Sequence, residues 1–387
     1  MDTTNITSSL TFCSAPWDSL NIDQTGRVSS CMHMREEIGN LKHTSLDQIL
    51  VGPKLTSIKQ SIAAGEWNSA CSWCKELEDS SGQSGRTVRQ CSQATKELID
   101  KDIEYFEPHH LVVNWSNLCN LSCVYCNPET STAWQAVKKI PIDFVRNDQQ
   151  ALINIMQEKG HMLEGLTLGG GEPLLQKGLL TMLKHLDPQK VNVAITTNLS
   201  IDITKNEIYQ ELKTWPRVDW MISFDNATAE KFEYVRNGAS WDMFTANIAQ
   251  MKTDQQKIMA HPAYSIYNAF DLTQYYEYCT DLQLDIFWCE LTNPWDLDAR
   301  RLPIQLRQQA VDEIDQVTAR WSHTSNLGLY TLQNYRKQLL DNSYVFDINK
   351  YTTDVLGFHH KIEKELGKTT QFQQLWPELT KKMSNAT

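Results

Sequence analysis

The chain has 387 residues, a formal net charge of −11 and 41% hydrophobic residues, so it is long enough for two or three domains with sizeable cores. Its acidic balance, without a long basic run, argues against a large nucleic-acid footprint, and no apolar run is long enough to cross a bilayer. Residues 1–10 lack the basic start and apolar centre of an export signal, so we expect a cytoplasmic protein. In that reducing compartment, ten cysteines in CxxC-like clusters indicate metal ligands rather than disulfides.

Four cysteines in the first hundred residues form a pattern that a hairpin would close. The turn at residues 23–26 separates two short apolar runs, and Cys13 and Cys31 lie at the outer ends of this predicted hairpin. Cys71 and Cys74 follow as a CxxC motif, which can bind two more corners of a cluster. Four thiolates make a closed site, so a four-iron cluster and a structural zinc site are both possible from these residues, and unrelated thiols are a third alternative.

A second cysteine group directly follows the apolar run at residues 111–115. Cys119, Cys123 and Cys126 have the spacing CxxxCxxC, so three thiolates on one short loop can converge on one metal centre. Thiolate sulfur selects zinc or iron–sulfur clusters, and a closed zinc site needs a fourth ligand. A four-iron cluster with three cysteines keeps one iron open. A zinc knuckle completed by a remote cysteine or histidine is the alternative.

Short apolar strands alternate with helical stretches from residue 111 to about residue 293, which predicts parallel βα units. In such folds the chemistry lies at the carboxyl ends of the strands, where the three-cysteine loop falls. The predicted strands are residues 111–115, 165–168, 191–196, 218–224, 258–266 and 284–290.

Polar or glycine-rich segments follow three more of these strands. Gly169-Gly-Gly-Glu-Pro173 comes after the second strand, where glycines let the backbone approach a ligand closely. Asn198 ends the third strand, and a Ser-x-Asp pattern, Ser223 and Asp225, ends the fourth. Each segment also has a structural interpretation, because glycines form turns and Ser-x-Asp can cap a helix.

CNLSCVYC followed one βα unit later by GGGEP resembles the radical S-adenosylmethionine (SAM) superfamily, whose members bind SAM at the open iron. The resemblance implies an α/β fold with a partial (βα)6 TIM-like barrel. It also implies that Cys119, Cys123 and Cys126 hold a 4Fe-4S cluster, that Tyr125 lies near the adenine of SAM, and that other residues contact the cosubstrate. Those implied SAM contacts are Gly170, Gly171, Glu172, Pro173, Asn198, Ser223, Asp225 and Arg236.

The order of Cys13, Cys31, Cys71 and Cys74 resembles the first part of the SPASM motif and its truncated twitch version, which hold an auxiliary 4Fe-4S cluster. This chain departs from the usual SPASM pattern in two respects. Ser80 stands where the next SPASM cysteine is expected, which favours one auxiliary cluster over two. The module also precedes the core, whereas SPASM and twitch modules mostly follow it. Cys91 lies outside both patterns.

These resemblances predict three regions. Residues 1–104 would form a small α+β twitch/SPASM-like domain, residues 105–300 the radical SAM core, and residues 301–387 a helical extension without a ligand cluster. We expect a flexible loop at residues 80–85 and a frayed tail at residues 381–387.

The implied function is reductive cleavage of SAM to a 5′-deoxyadenosyl radical that abstracts hydrogen from a substrate. Oxidative modification of a peptide or protein side chain is the favoured reaction, a small-molecule dehydrogenase or cyclase is the alternative, and a non-catalytic zinc-binding module is a remote one. A donor such as flavodoxin or ferredoxin would supply the electron. The auxiliary cluster would accept the electron left on the product, or bind the substrate through an open iron. No catalytic acid or base can be named from the sequence.

Overall fold

The computed structural model describes residues 5–82, 84–140, 149–291, 293–322, 327–341 and 348–385. None of the helices within these ranges combines the length and the apolar character that a membrane span requires. All ten cysteines are free thiols.

The strands are β1 (Ser19–Ile22), β2 (Arg27–Ser29), β3 (Gly39–Asn40), β4 (His110–Asn114), β5 (Gly165–Gly169), β6 (Asn192–Thr197), β7 (Val218–Ile222), β8 (Lys257–Ala260), β9 (Ala263–Tyr264), β10 (Asp285–Ile286) and β11 (Cys289–Glu290). The helices are α1 (Ala15–Asp18), α2 (Leu46–Leu50), α3 (Pro53–Ala63), α4 (Ser72–Ser81), α5 (Gly85–Val88), α6 (Gln93–Lys101), α7 (Thr132–Lys138), α8 (Gln149–Lys159), α9 (Gly178–Leu183), α10 (Glu207–Leu212), α11 (Ala229–Val235), α12 (Trp241–Thr253), α13 (Leu272–Asp281), α14 (Ile304–Trp321), α15 (Leu327–Leu339), α16 (Ile348–Leu366), α17 (Phe372–Leu375) and α18 (Pro377–Asn385).

The first of two compact units comprises the described residues of Met1–Asn117, Phe144–Ile195 and Thr214–Val218. Its strands lie in the order β3-β2-β1-β4-β5-β6, with antiparallel pairs among the first three and parallel pairs from β1 onward. Alternate residues of β4 and β5 are buried, for example Leu111, Val113, Leu166 and Leu168, which is the period-2 pattern that predicted these strands.

The N-terminal hairpin forms as predicted, and it also joins the core sheet. Its turn is stabilised by the Asp23 side chain, whose Oδ1 accepts a hydrogen bond from the Thr25 backbone N–H at 2.8 Å, and by Gly26 at φ +82°. On its other edge, β1 pairs in parallel with β4, an arrangement that the sequence did not reveal. The hairpin that carries Cys13 and Cys31 is therefore fixed to the first core strand.

The second unit comprises the described residues of Leu118–Asp143, Thr196–Lys213 and Asp219–Thr387. Within it, β7, β8 and β10 pair in parallel, and β9 and β11 form a separate parallel pair. The fifth and sixth predicted strands, 258–266 and 284–290, are therefore each divided into two short strands. The first division falls at His261-Pro262, where proline has no N–H to donate to a ladder.

The C-terminal region is helical, as predicted, through α14 to α18. The expectation of a frayed tail is wrong for residues 381–385, which belong to α18. Met383 is fully buried there, and its carbonyl accepts a hydrogen bond from Thr352 Oγ1 of α16 at 3.3 Å. Residues 386 and 387 lie outside the described residues. The predicted loop at 80–85 is shorter than expected, because α4 ends at Ser81 and α5 begins at Gly85; Gln83 lies outside the described residues.

We expect Gly170→Ala to destabilise the protein by about 1–3 kcal/mol, because Gly170 has φ +104° and an added Cβ would lie 2.6 Å from the Ser116 carbonyl oxygen. Gly357→Ala is the matched control. Gly357 lies inside α16 with nothing within 4 Å of the place that an added Cβ would take, so alanine should stabilise the helix by about 0.5–1 kcal/mol. Thermal or denaturant unfolding of both variants measures the two opposite shifts, and equal stability of the two would contradict the prediction.

Candidate active site and metal centres

The three-cysteine loop is held on one side by the segment that begins α7. Trp134 Nε1 donates to the Cys123 carbonyl at 2.8 Å, and Ser131 Oγ donates to the Leu121 carbonyl at 2.6 Å. Thr132 Oγ1 accepts from the Cys119 N–H at 3.1 Å and donates to the Cys119 carbonyl at 2.9 Å. Backbone groups of the loop therefore have fixed protein partners rather than solvent ones.

The other side of the loop pairs with the turn after α11. The Ser122 N–H donates to the Asn237 carbonyl at 3.0 Å, and the Val124 N–H donates to the Val235 carbonyl at 2.9 Å. Gly238 has φ +97°, a left-handed backbone conformation that favours glycine. The sequence Tyr-Val-Arg-Asn-Gly thus supports the cysteine loop, a role that sequence reasoning missed.

Asp225 is the centre of a buried hydrogen-bond network. Its Oδ2 accepts from Arg236 Nε at 2.8 Å and from the Tyr125 hydroxyl at 2.9 Å, and its Oδ1 accepts from the Ala263 N–H at 2.8 Å. Asp225 is 1% exposed and Arg236 is 7% exposed. Burial lowers the pKa of Arg236, but the Asp225 carboxylate outweighs burial and raises it, so the ion pair is maintained. The guanidinium also lies over the Tyr125 ring, 5.2 Å from its centroid.

The thiols of Cys123 and Cys126 shift each other's pKa in opposite directions. Cys123 and Cys126 are hydrogen-bonded to each other, which raises the pKa of Cys123 and lowers the pKa of Cys126. The Arg236 cation acts on both thiols in the direction of lower pKa. Asn198 Nδ2 approaches Cys119 Sγ at 3.7 Å, within reach of a weak hydrogen bond to sulfur. A metal binds thiolates, so these neighbours suit a cluster site.

The remaining predicted SAM contacts of this unit lie at the strand ends as expected. Asn198 Oδ1 accepts from the Ser200 N–H at 3.0 Å, which orients its amide toward the cysteine loop. Ser223 directly follows β7, is 9% exposed, and donates its backbone N–H to the Thr197 carbonyl at 2.9 Å. The structure thus brings Tyr125, Asp225 and Arg236 together. Their predicted contacts with SAM stay predictions.

The GGGEP segment belongs to the first unit. The Gly171 N–H donates to the Ser116 carbonyl at 2.8 Å, which packs the turn on the residues just before the cysteine loop in sequence. Glu172 is fully buried, and its Oε1 accepts from the Leu174 N–H at 3.0 Å, where it caps the short turn that starts at Pro173. The carboxylate that was predicted to contact SAM therefore also stabilises its own loop.

All four N-terminal cysteines line one pocket, as the hairpin and CxxC patterns predicted. Cys13, Cys31, Cys71 and Cys74 share this pocket with apolar residues and with His33 and Arg86. Burial raises the pKa of Cys13 to about 12 and that of Cys71 to about 11. Thiols held at high pKa stay protonated until a metal displaces their protons, and four soft ligands in one pocket fit an iron–sulfur cluster.

Side chains that sequence reasoning missed hold this pocket together. His33 stacks on Trp73, with ring centroids 4.1 Å apart, and so packs the segment after Cys31 against the CxxC motif. Arg86 Nη1 donates to the Leu10 and Phe12 carbonyls at 3.1 and 3.0 Å, just before Cys13. No local pattern marks these residues, because each contact joins distant parts of the sequence.

Two family models match the chain. The radical SAM superfamily model matches residues 113–258, and the model of an iron–sulfur cluster-binding domain, SPASM, matches residues 13–75. The chain therefore contains a radical SAM domain and an iron–sulfur cluster-binding domain. These matches confirm the predicted superfamily, its fold class, and its cofactors, which are a SAM-binding 4Fe-4S cluster, an auxiliary 4Fe-4S cluster and SAM. They also confirm that the iron–sulfur domain of this radical SAM protein precedes the core.

Curated relatives of this radical SAM protein include two GTP 3′,8-cyclases. The one from Peptoclostridium acidaminophilum is 26% identical over 147 residues, which is 38% of this chain and 43% of the relative. The one from Listeria welshimeri is 27% identical over 131 residues, 33% of this chain and 37% of the relative. The matched stretch thus spans less than half the length of these relatives.

Similar solved structures include anSMEcpe with bound AdoMet and a Kp18Cys peptide, at 16% identity and a TM-score of 0.38, covering 53% of this chain and 59% of that one. Another is SuiB of Streptococcus suis bound to S-adenosylmethionine, at 14% identity and a TM-score of 0.39, covering 71% of this chain and 61% of that one. Because both TM-scores are below 0.5, we base no argument about this chain on these two structures.

We expect Asp225→Asn to lower the free energy of unfolding by about 3–5 kcal/mol, because it leaves the Arg236 cation buried without a counter-charge. Asp219→Asn is the control. Asp219 pairs with Lys257 at 2.7 Å on a partly exposed surface of neighbouring strands, and its loss should cost less than about 1 kcal/mol. Denaturant unfolding of the two variants checks the difference, and similar losses would show that the Asp225 pair is not an essential buried contact.

Proposed function

We propose that this chain is an enzyme that uses SAM to abstract hydrogen from an unreactive C–H bond of its substrate. The observation that carries the proposal is the CxxxCxxC loop, whose backbone is fixed by hydrogen bonds to Trp134 and Ser131 and whose Cys123 and Cys126 thiols are hydrogen-bonded to each other. When bound, the core cluster supplies the electron that reductively cleaves SAM to methionine and a 5′-deoxyadenosyl radical. The protein's part is to hold, orient and shield the reacting groups.

Under this proposal, Cys119, Cys123 and Cys126 hold the core cluster and leave one coordination position for SAM. Tyr125 is fixed by its hydrogen bond to Asp225, so its ring has one orientation for contact with an adenine. Arg236 keeps its guanidinium in place through the same carboxylate. The other proposed SAM contacts are Gly170, Gly171, Glu172, Pro173, Asn198, Ser223 and Asp225.

The auxiliary cluster is proposed to have a closed set of ligands, Cys13, Cys31, Cys71 and Cys74. Their common pocket supports this assignment. A cluster without an open iron would accept an electron from the product rather than bind the substrate. The proposed regions remain 1–104, 105–300 and 301–387, and flavodoxin or ferredoxin remains the proposed class of electron donor.

For the substrate we propose a peptide or protein side chain that undergoes oxidation. The match to the SPASM domain supports this choice, because modifiers of ribosomally made peptides are common among enzymes with such domains. An oxidation leaves one electron on the product, and the auxiliary cluster would give that electron a destination.

A small-molecule dehydrogenase or cyclase is the second candidate. The observation that favours it is the similarity to GTP 3′,8-cyclases, for which a nucleotide would be the substrate. That similarity covers a third or so of this chain, so it bears more directly on the shared radical SAM core than on the substrate.

We expect the Cys119→Ala/Cys123→Ala/Cys126→Ala variant to form no 5′-deoxyadenosine with SAM and dithionite after anaerobic reconstitution, because it lacks all three proposed ligands of the core cluster. Chromatographic quantification of 5′-deoxyadenosine measures the result. Undiminished formation would overturn the proposal.

Cys71→Ala/Cys74→Ala is the matched control for this experiment. It removes two thiols from the other pocket, so SAM cleavage should persist while bound iron falls by about half, from two four-iron clusters to one. Zinc instead of iron in the anaerobically purified protein, with no iron–sulfur absorption band, would support a zinc-binding module.

Substrate class can be tested by deuterium transfer into 5′-deoxyadenosine. We expect label from a deuterated fraction of short cellular peptides and none from ribose-deuterated GTP, because the abstracted atom is transferred directly to the 5′ carbon. Mass spectrometry of the 5′-deoxyadenosine gives the answer. Label from GTP and not from the peptides would favour the small-molecule alternative.

A further inference from the structure

Three charged residues at the end of α16 and in the turn after it contact the segments that hold the cysteine loop, which are α7, α11 and the turn after α11. Glu365 pairs with Lys138 of α7 at 2.5 Å, and Glu363 accepts a hydrogen bond from the Tyr234 hydroxyl of α11 at 2.9 Å. Lys368 Nζ donates to Asn237 Oδ1 at 2.9 Å. The C-terminal region therefore contacts both elements that hold the loop.

Lys368 is connected to the loop by a short chain of hydrogen bonds. Asn237, which accepts from Lys368, donates through Nδ2 to Ser122 Oγ at 2.8 Å, and its carbonyl accepts from the Ser122 N–H at 3.0 Å. Ser122 directly precedes Cys123. Lys368 Nζ also lies over the Tyr234 ring, 4.7 Å from its centroid, so the ammonium has a fixed position.

The charge of Lys368 is not cancelled by a contacting carboxylate. Among the described residues, Lys368 has no ion-pair partner, and its hydrogen bond goes to a neutral amide. Burial lowers the pKa of Lys368 to about 8, and negative charge on Cys123, Glu363 and Glu233 opposes that shift. The thiol and the two carboxylates therefore lie within electrostatic range of the ammonium, although neither carboxylate contacts it. Arg236 differs, because Asp225 compensates its charge directly.

We propose that Lys368 raises the reduction potential of the core cluster by holding a positive charge, without a contacting carboxylate, two hydrogen bonds away from Ser122, the residue next to Cys123. The proposal rests on the proposed function, in which Cys123 is a ligand of that cluster. Reduction adds one negative charge to a cluster, so a nearby cation stabilises the reduced form. The effect is strongest where water is partly excluded, and net charge around a cluster is one of the terms that set its potential. Lys368 is thus a positioning residue of the C-terminal extension that eases electron entry.

The test is a redox titration of the reconstituted full-length protein, followed by electron paramagnetic resonance. The core cluster is identified as the signal that changes when SAM is added. Lys368→Met removes the charge, Lys368→Gln removes it but keeps a hydrogen-bond donor for Asn237, and Lys368→Arg keeps the charge. Lys361→Met is the control, because it removes an exposed charge from α16 itself.

We expect the equilibrium constant for one-electron reduction of the core cluster to fall about tenfold in Lys368→Met and Lys368→Gln, a lowering of the midpoint potential by about 59 mV. Lys368→Arg, Lys361→Met and the auxiliary cluster should keep their original potentials. If Lys368→Met loses iron, the midpoint potential of Lys368→Gln is the test of the charge effect. An unchanged potential in the charge-removing variant with intact iron would overturn the proposal, as would an equal lowering in Lys368→Arg. Absence of any SAM-responsive signal in the unsubstituted protein would instead contradict the proposed function.

Discussion

The buried carboxylate of Asp225 is the contact on which the candidate active site depends. It joins four separate parts of the second unit: Tyr125 of the cysteine loop, the end of β7, Arg236 after α11, and Ala263 at the start of β9. Burying an ion pair rarely adds net stability, because desolvation offsets the attraction. Its value here is geometric, since one carboxylate with three donors permits one arrangement of the loop.

The two cysteine sites are prepared for metal in different ways. At Cys123 and Cys126, the neighbouring Arg236 guanidinium acts toward lower pKa, while the hydrogen bond with Cys126 and burial keep the pKa of Cys123 raised. The loop backbone there is hydrogen-bonded to the protein, for example to Trp134. At Cys13 and Cys71, burial favours the protonated thiol. A metal must therefore displace protons from thiols of raised pKa at both sites, Cys123 in the core loop and Cys13 and Cys71 in the N-terminal pocket.

Much of the fold and the cysteine sites could be predicted, because they depend on local spacing. Alternating burial defined β4, β5, β6 and β7, and CxxxCxxC and CxxC placed their thiols on short segments. What could not be predicted were contacts between remote segments. The pairing of β1 with β4 and the approach of Lys368 to Asn237 have no local signal, and the division of the fifth predicted strand required a proline effect to outweigh β-branched and apolar residues.

Asp225 and Arg236 have a structural role that their sequence motifs did not indicate. Sequence reasoning treated them as separate contacts of SAM, whereas each is the principal partner of the other. Both carboxylate oxygens of Asp225 already accept hydrogen bonds, and the guanidinium of Arg236 donates its Nε–H to one of them. Besides the proposed contacts with SAM, the pair therefore has a structural role, because Asp225 fixes both the Tyr125 hydroxyl and the Arg236 guanidinium. Arg236 is paired in this way, whereas Lys368 of the C-terminal extension is a cation near the loop whose hydrogen bond goes to a neutral amide, in a region for which the sequence predicted no chemistry.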